Sequence, residues 1–260
     1  MRASRARDAV AAAMVLWLGS ASAEPIGALH WNDPKGQTVA VGRTVTVAGI
    51  VTAQFSSGRT TRLYLQDRTG GVCVYGSPRN CAAPGDSLRV TGRVASAGGL
   101  TQVTGDARTP LRIEALGRAR CPAVALALTP TEVRATQQPG GLEPNEGRLV
   151  LVRDVLVRTA DGRVPAAGAK FAIDTSYRLA HAARDSATDW VVMRVAGTTA
   201  CDRRRSLAGE PIPTAPVQVT GVLSQALDGS ATRGGYLILP RTRDDVQPGI
   251  GDYPEPRPNR

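Results

Sequence analysis

The chain repeats itself, and the repeat limits what it can fold into. Gly42-Arg43-Thr44-Val45-Thr46-Val47 aligns with Gly147-Arg148-Leu149-Val150-Leu151-Val152. Leu88-Arg89-Val90-Thr91-Gly92 aligns with Val217-Gln218-Val219-Thr220-Gly221, and each is followed by a glycine pair, Gly98-Gly99 and Gly234-Gly235. The landmarks keep their order while their offset grows from 105 to 129 to 136 residues, so the second copy carries insertions. Strand folds accept these in surface loops. Both copies are short valine-rich runs cut by Gly and Pro, 28 and 18 of 260 residues, which excludes a helical bundle.

Within the first copy the alternation has period two. Leu63 and Leu65 point one way, while Arg62, Tyr64 and Gln66 point the other; Val72 and Val74 likewise oppose Cys73 and Tyr75. A hairpin at Asp67-Arg68-Thr69-Gly70-Gly71 joins the two runs, and Pro84-Gly85-Asp86 and Gly98-Gly99 mark the later turns. Five strands in about 70 residues suit a small closed barrel. The fold class is therefore all-β: two tandem five-stranded barrels, the first within 24–120 and the second within 121–247, followed by a Pro-rich tail over 248–260. Thr129-Pro130-Thr131-Glu132 between them has the capping-box pattern with proline at the first helical position, and predicts one short helix.

Arg2, Arg5 and Arg7, an apolar stretch from Ala9 to Leu18, and Ser20-Ala21-Ser22-Ala23 form a secretory signal peptide pattern, with cleavage expected after Ala23. The apolar run falls short of the roughly 20 residues a membrane span needs. A secreted or periplasmic location follows, and the formal net charge falls only from +10 to +8 in the mature chain. Export also makes Cys73, Cys81, Cys121 and Cys201 disulfide candidates. Of three possible connectivities, Cys73 with Cys81 and Cys121 with Cys201 keeps each bond inside one unit.

The run Val45 to Phe55, the Tyr64-Leu65-Gln66-Asp67-x-x-Gly-Gly hairpin and Gly85-Asp86-x-Leu-x-Val-Thr-Gly resemble the OB-fold modules attached to secreted bacterial nucleases. The likeness covers residues 36 to 110 closely and 121 to 247 more loosely. In the second copy Phe171-Ala172-Ile173-Asp174 stands where YLQD is expected. The resemblance implies a nucleic-acid-binding module without the nuclease domain.

Catalytic patterns are absent from the sequence: it contains no GxSxG, P-loop, HExxH, CxxC or dinucleotide-binding glycine pattern. His30 and His181 read as incidental surface residues, and no cofactor or metal is expected. Arginine outnumbers lysine 30 to 2, and guanidinium both forks onto phosphate and stacks on bases. Residues 36–110 carry 8 Arg and 3 acids, against 15 basic and 13 acidic residues over 121–247, which favours the first barrel as the anion binder.

An OB-fold binds single strands on the outer face of its second and third strands. There the candidate site is Tyr64 and Tyr75, flanked by Arg62 and Gln66, with Phe55 and Arg59 beside them. Trp190 and Tyr236 are the second copy's candidates, and Arg203-Arg204-Arg205 is a loop cluster that could touch phosphate. The expected function is a monomeric, non-catalytic binder of single-stranded nucleic acid or another polyanion, with a separately encoded nuclease or an envelope protein as a possible partner. The alternative is a periplasmic scaffold for protein or carbohydrate.

Overall fold

Two strand circuits with the same order account for most of the backbone hydrogen bonding. A computed structural model describes residues 22–57, 60–77, 82–135, 140–183, 189–197, 206–225 and 235–249. The first circuit is built from β1 (Thr44–Ser57), β2 (Thr60–Gln66), β3 (Gly71–Ser77), β4 (Asp86–Ala97) and β5 (Leu100–Thr104). They run β1-β2-β3-β5-β4 and close through β1–β4, with β3 and β5 parallel. β6 (Arg112–Arg118) extends this sheet from β4.

The second circuit uses β8 (Leu149–Thr159), β9 (Thr175–His181), β10 (Trp190–Val195), β11 (Val217–Gln225) and β12 (Tyr236–Leu239). It runs β8-β9-β10-β12-β11 and closes through β11–β8, with β10 and β12 parallel. Two short strands, β7 (Leu126–Ala127) and β13 (Val246–Pro248), pair with β8 and β11. The chain is thus two closed five-stranded barrels of OB type, the architecture its repeat implies.

Each barrel encloses one apolar cluster. Val45, Val47, Val51, Leu63, Leu65, Val72, Val74, Val90 and Val103 fill the first. Val150, Val152, Val155, Val157, Leu179, Val191, Met193 and Ile238 fill the second. A bulge midway along the long first strand of each barrel reverses its alternation. In β1 the register shifts between Val51 and Ala53, so Ala53 and Phe55 face away from the core that Val45 and Val47 enter. In β8, Asp154 adopts a positive φ of 53°, and both Val152 and Val155 point inward.

The glycine after Val-Thr does the same work in both copies. A Cβ on Gly92 would lie 2.7 Å from the Thr104 carbonyl, and one on Gly221 would lie 2.6 Å from Ile238 Cγ2. Only a residue without a side chain lets the next strand cross that closely.

Two local predictions are met in detail. α1 (Pro130–Ala135) is capped reciprocally: the Thr129 N–H donates to Glu132 Oε2 at 2.7 Å, and the Glu132 N–H donates to Thr129 Oγ1 at 3.2 Å. In the β2–β3 hairpin Asp67 Oδ1 accepts from the Thr69 and Gly70 N–H groups at 2.7 and 2.9 Å, while Oδ2 accepts from the Ile26 N–H at 3.0 Å. The aspartate of the YLQD motif therefore ties the N-terminal segment to the first barrel.

That segment forms a 3-10 turn over Ile26–His30, with Ile26 and Leu29 in the first core. The expected signal peptide falls almost wholly outside the described residues, as do Arg59, Cys81, Cys201, the Arg203–Arg205 cluster and most of the tail. Among the described residues, no helix is long and apolar enough to cross a membrane.

Candidate functional site

The alternation in β2 and β3 holds, but the face it defines is not open. Phe55 is 2% exposed, Tyr64 and Cys73 are 0%, and all three join Ala53 and Leu100 in a third apolar cluster. The rest of that cluster is Leu149, Val222, Leu237 and Leu239, the outer face of the second barrel.

The Tyr64 hydroxyl lies 2.8 Å from Ser224 Oγ. Gln66 accepts the Leu149 N–H on Oε1 at 2.8 Å and donates Nε2 to the Val124 carbonyl at 3.2 Å. Phe55 and Tyr64 pack edge to face with ring centroids 6.0 Å apart. Backbone meets backbone at Gly71 and Gly147, where a Cβ on Gly71 would fall 2.2 Å from the Gly147 carbonyl. Arg62 and Tyr75, neighbours across β2 and β3, are half-buried at the rim of this contact.

The described candidate residues on the first barrel therefore come together, but as the seam between the barrels and not as a surface for bases. The sequence pattern gives the side of the strand; it does not say whether water or a second barrel covers that side. Cys73 is a free thiol in this seam, with burial pushing it up to about 12, and Cys121 is free and exposed. The two disulfides expected for them are not formed at these residues.

In the second barrel the corresponding face is β9 with β10, and here the register corrects the sequence reading. The strand that matches β2 is Thr175–His181, four residues beyond Phe171–Asp174. Phe171 instead packs into the core, edge to face with Tyr177 at 5.2 Å. His181, read as an incidental surface residue, ends β9 and is half-buried.

With that register, Arg158 stands directly opposite Arg178, and Arg178 opposite Val192. Trp190 pairs with Ala180, and Arg194 with Ser176. Val157, Leu179, Val191 and Met193 point into the core, so Arg158, Arg178, Trp190 and Arg194 are carried on the outer face, half-buried.

The Arg178 guanidinium sits over the Trp190 ring, 4.3 Å from its centroid, and Arg134 of α1 reaches the same ring at 5.8 Å. Stacking fixes the plane of Arg178 and leaves its N–H edges to a further acceptor. Among the described residues Arg194 finds only a long pair, 3.9 Å to Asp174. Among the described residues no carboxylate forms an ion pair with Arg158 or Arg178.

Tyr236, the other second-copy candidate, is 5% exposed and faces the core and the inter-barrel junction. His30 is the largest surprise: instead of lying on the surface it is 0% exposed, with Nδ1 3.3 Å from Glu146 Oε2 and Nε2 2.6 Å from the Gly71 carbonyl.

No protein-family model matches the chain, and neither does any curated protein. Solved structures with partial similarity include asparaginyl-tRNA synthetase from Pyrococcus horikoshii, 22% identical with a TM-score of 0.26, covering 35% of this chain and 23% of that one. The same enzyme complexed with asparaginyl-adenylate is 19% identical with a TM-score of 0.27, covering 36% and 24%. A replication protein A heterotrimer bound to ssDNA is 14% identical with a TM-score of 0.28, covering 78% and 50%. The chain thus spans about a quarter of the synthetase chain and half of the replication protein A chain.

Proposed function

We propose that this chain is an exported, non-catalytic binding protein that holds a single-stranded nucleic acid or a similar polyanion on the outer β9–β10 face of its second barrel. The observation that carries the reading is Arg158 opposite Arg178. Like charges directly across two strands destabilise a sheet, so the pair is costly in the free protein and favourable once an anion lies between the guanidinium groups. Trp190 beneath Arg178 and Arg194 on the next strand extend the basic face over three strands. An OB barrel binds strands on this same face, and here it is the second barrel that leaves part of the face open, with its arginines half-buried.

Export is supported by the N-terminal pattern, and Glu24, the first residue after the expected cut, donates its N–H to the Thr46 carbonyl at 2.8 Å. Intact-mass measurement of protein recovered from the periplasm or medium tests this, with Glu24 as the expected first residue.

Binding is tested by fluorescence anisotropy with labelled oligo-dT at low and moderate salt, and with heparin as competitor. Binding that weakens steeply with salt and is lost in the Arg158→Ala, Arg178→Ala double variant supports the reading. No binding at low salt, or equal binding by the double variant, removes it.

A further inference from the structure

The seam between the barrels contains a buried charged cluster that the binding face does not use. His30, Glu143 and Glu146 are each at most 1% exposed. They join four parts of the molecule. His30 comes from the N-terminal turn and Glu143 and Glu146 from the segment between the barrels. The first barrel adds the Gly71 carbonyl and Thr101, and the second adds Gln225.

The hydrogen bonds constrain the protonation state. The Gly71 carbonyl can only accept, so Nε2 of His30 carries a proton. Nδ1 faces Glu146, which also accepts from the Thr101 N–H and hydroxyl, so one further proton is held between Nδ1 and Glu146. With Glu146 ionised the ring is an imidazolium. Glu143 accepts from Gln225 Nε2 at 3.3 Å and its own N–H donates to the His30 carbonyl at 3.0 Å. No arginine or lysine among the described residues forms an ion pair with either carboxylate. With Glu143 protonated the buried charges sum to zero; with Glu143 ionised and His30 neutral they do not.

We propose that His30, Glu143 and Glu146 form a proton-held latch that keeps the two barrels closed over the Phe55–Tyr64–Cys73 face. When Nδ1 of His30 loses its proton, its lone pair faces the Glu146 carboxylate and the contact becomes repulsive. Ionised Glu143 adds a second buried negative charge to the same place. The latch then opens, and the outer face of the first barrel meets water.

The pKa directions agree with this geometry. Burial alone would push His30 down, but the Glu146 hydrogen bond and charge and the Gly71 carbonyl hold it above its ordinary value. Burial and then the charge of Glu146 lift Glu143 to about 6. The remaining titratable groups facing the cluster are neutral across this range: Cys73 on β3 and Tyr236 on β12, both raised chiefly by burial. Arg62 on β2 acts on Cys73 from beyond it.

Hydroxyl-radical footprinting read by mass spectrometry tests the latch on the full chain, whatever the second barrel binds. Tyr64 in the seam reports opening, and Tyr177 in the second core reports unfolding. Between about pH 5 and pH 9, Tyr64 oxidation is expected to rise by up to about tenfold per pH unit for each proton released, while Tyr177 stays protected. In Glu143→Gln the stage near pH 6 disappears, and in His30→Gln the later stage does. A flat Tyr64 profile, a Tyr177 profile that follows it, or an unchanged profile in both variants would overturn the proposal.

Discussion

The Tyr64 hydroxyl meets Ser224 Oγ 2.8 Å away across 160 residues of sequence, joining the second strand of one barrel to the fourth of the other. Neither group has water to fall back on, because Tyr64 is 0% and Ser224 1% exposed. Tyr64→Phe removes the hydroxyl and leaves Ser224 without this partner, for a loss of about 1 to 2 kcal/mol. Tyr64→Ala also empties the seam and costs about 3 to 5 kcal/mol, as large aromatic deletions do. Denaturant titration monitored by circular dichroism measures both.

Removing Arg158 or Arg178 affects binding alike and stability differently. Each Arg→Ala change weakens oligonucleotide binding and lowers the salt slope by about one unit. Arg158→Ala does not lower the stability of the free protein, since it relieves a like-charge pair worth a few tenths of a kcal/mol, whereas Arg178→Ala also gives up the stacking on Trp190, about 0.5 to 1 kcal/mol. Arg62→Ala, on the buried side of the first barrel, leaves the salt slope unchanged.

At Gly147 a side chain has nowhere to go. Its φ is +72° and a Cβ would lie 2.5 Å from the Gly71 carbonyl carbon. Gly147→Ala therefore combines a strained backbone with a clash between two main chains, and a loss of about 2 to 4 kcal/mol is expected. Gly36→Ala, also at positive φ but with nothing within 4 Å, is the control and loses only the conformational part.

The melting temperature is expected to fall as pH rises. His30 and Glu143 both bind their protons more tightly in the folded chain than in the unfolded one. The stabilisation is complete below the unfolded values and is lost as pH climbs through about 6 for Glu143 and then through the raised value of His30. Differential scanning calorimetry at constant ionic strength measures the trend, and Glu143→Gln removes its first part.

The barrels were legible in the sequence because their determinants are local: period-two alternation, the Asp67 turn, the Val-Thr-Gly crossings and the Thr129 cap each act within a few residues. The seam was not. Period two assigns Tyr64 and Cys73 to the outside of their own barrel, which is correct, but what lies against that outside is set by Val222, Leu237 and Leu239, about 150 residues or more later. The proposed binding face was missed for a different reason. Aligning on the one-letter motif placed the second hairpin at Phe171, whereas the strand partners place it at Tyr177-Arg178-Leu179. The alternation of Tyr177, Leu179, Val191 and Met193 carried that signal. His30 gave none, since its three buried contacts come from residues 71, 143 and 146.

The shared seam also decides how the halves can be handled. A protein cut after residue 120 would offer Phe55, Tyr64, Cys73 and Leu100 to solvent as one greasy patch, with a reactive thiol in its middle. Such a fragment would clump or cross-link instead of behaving as a stand-alone module, so the two copies have to be inherited, expressed and engineered as one piece.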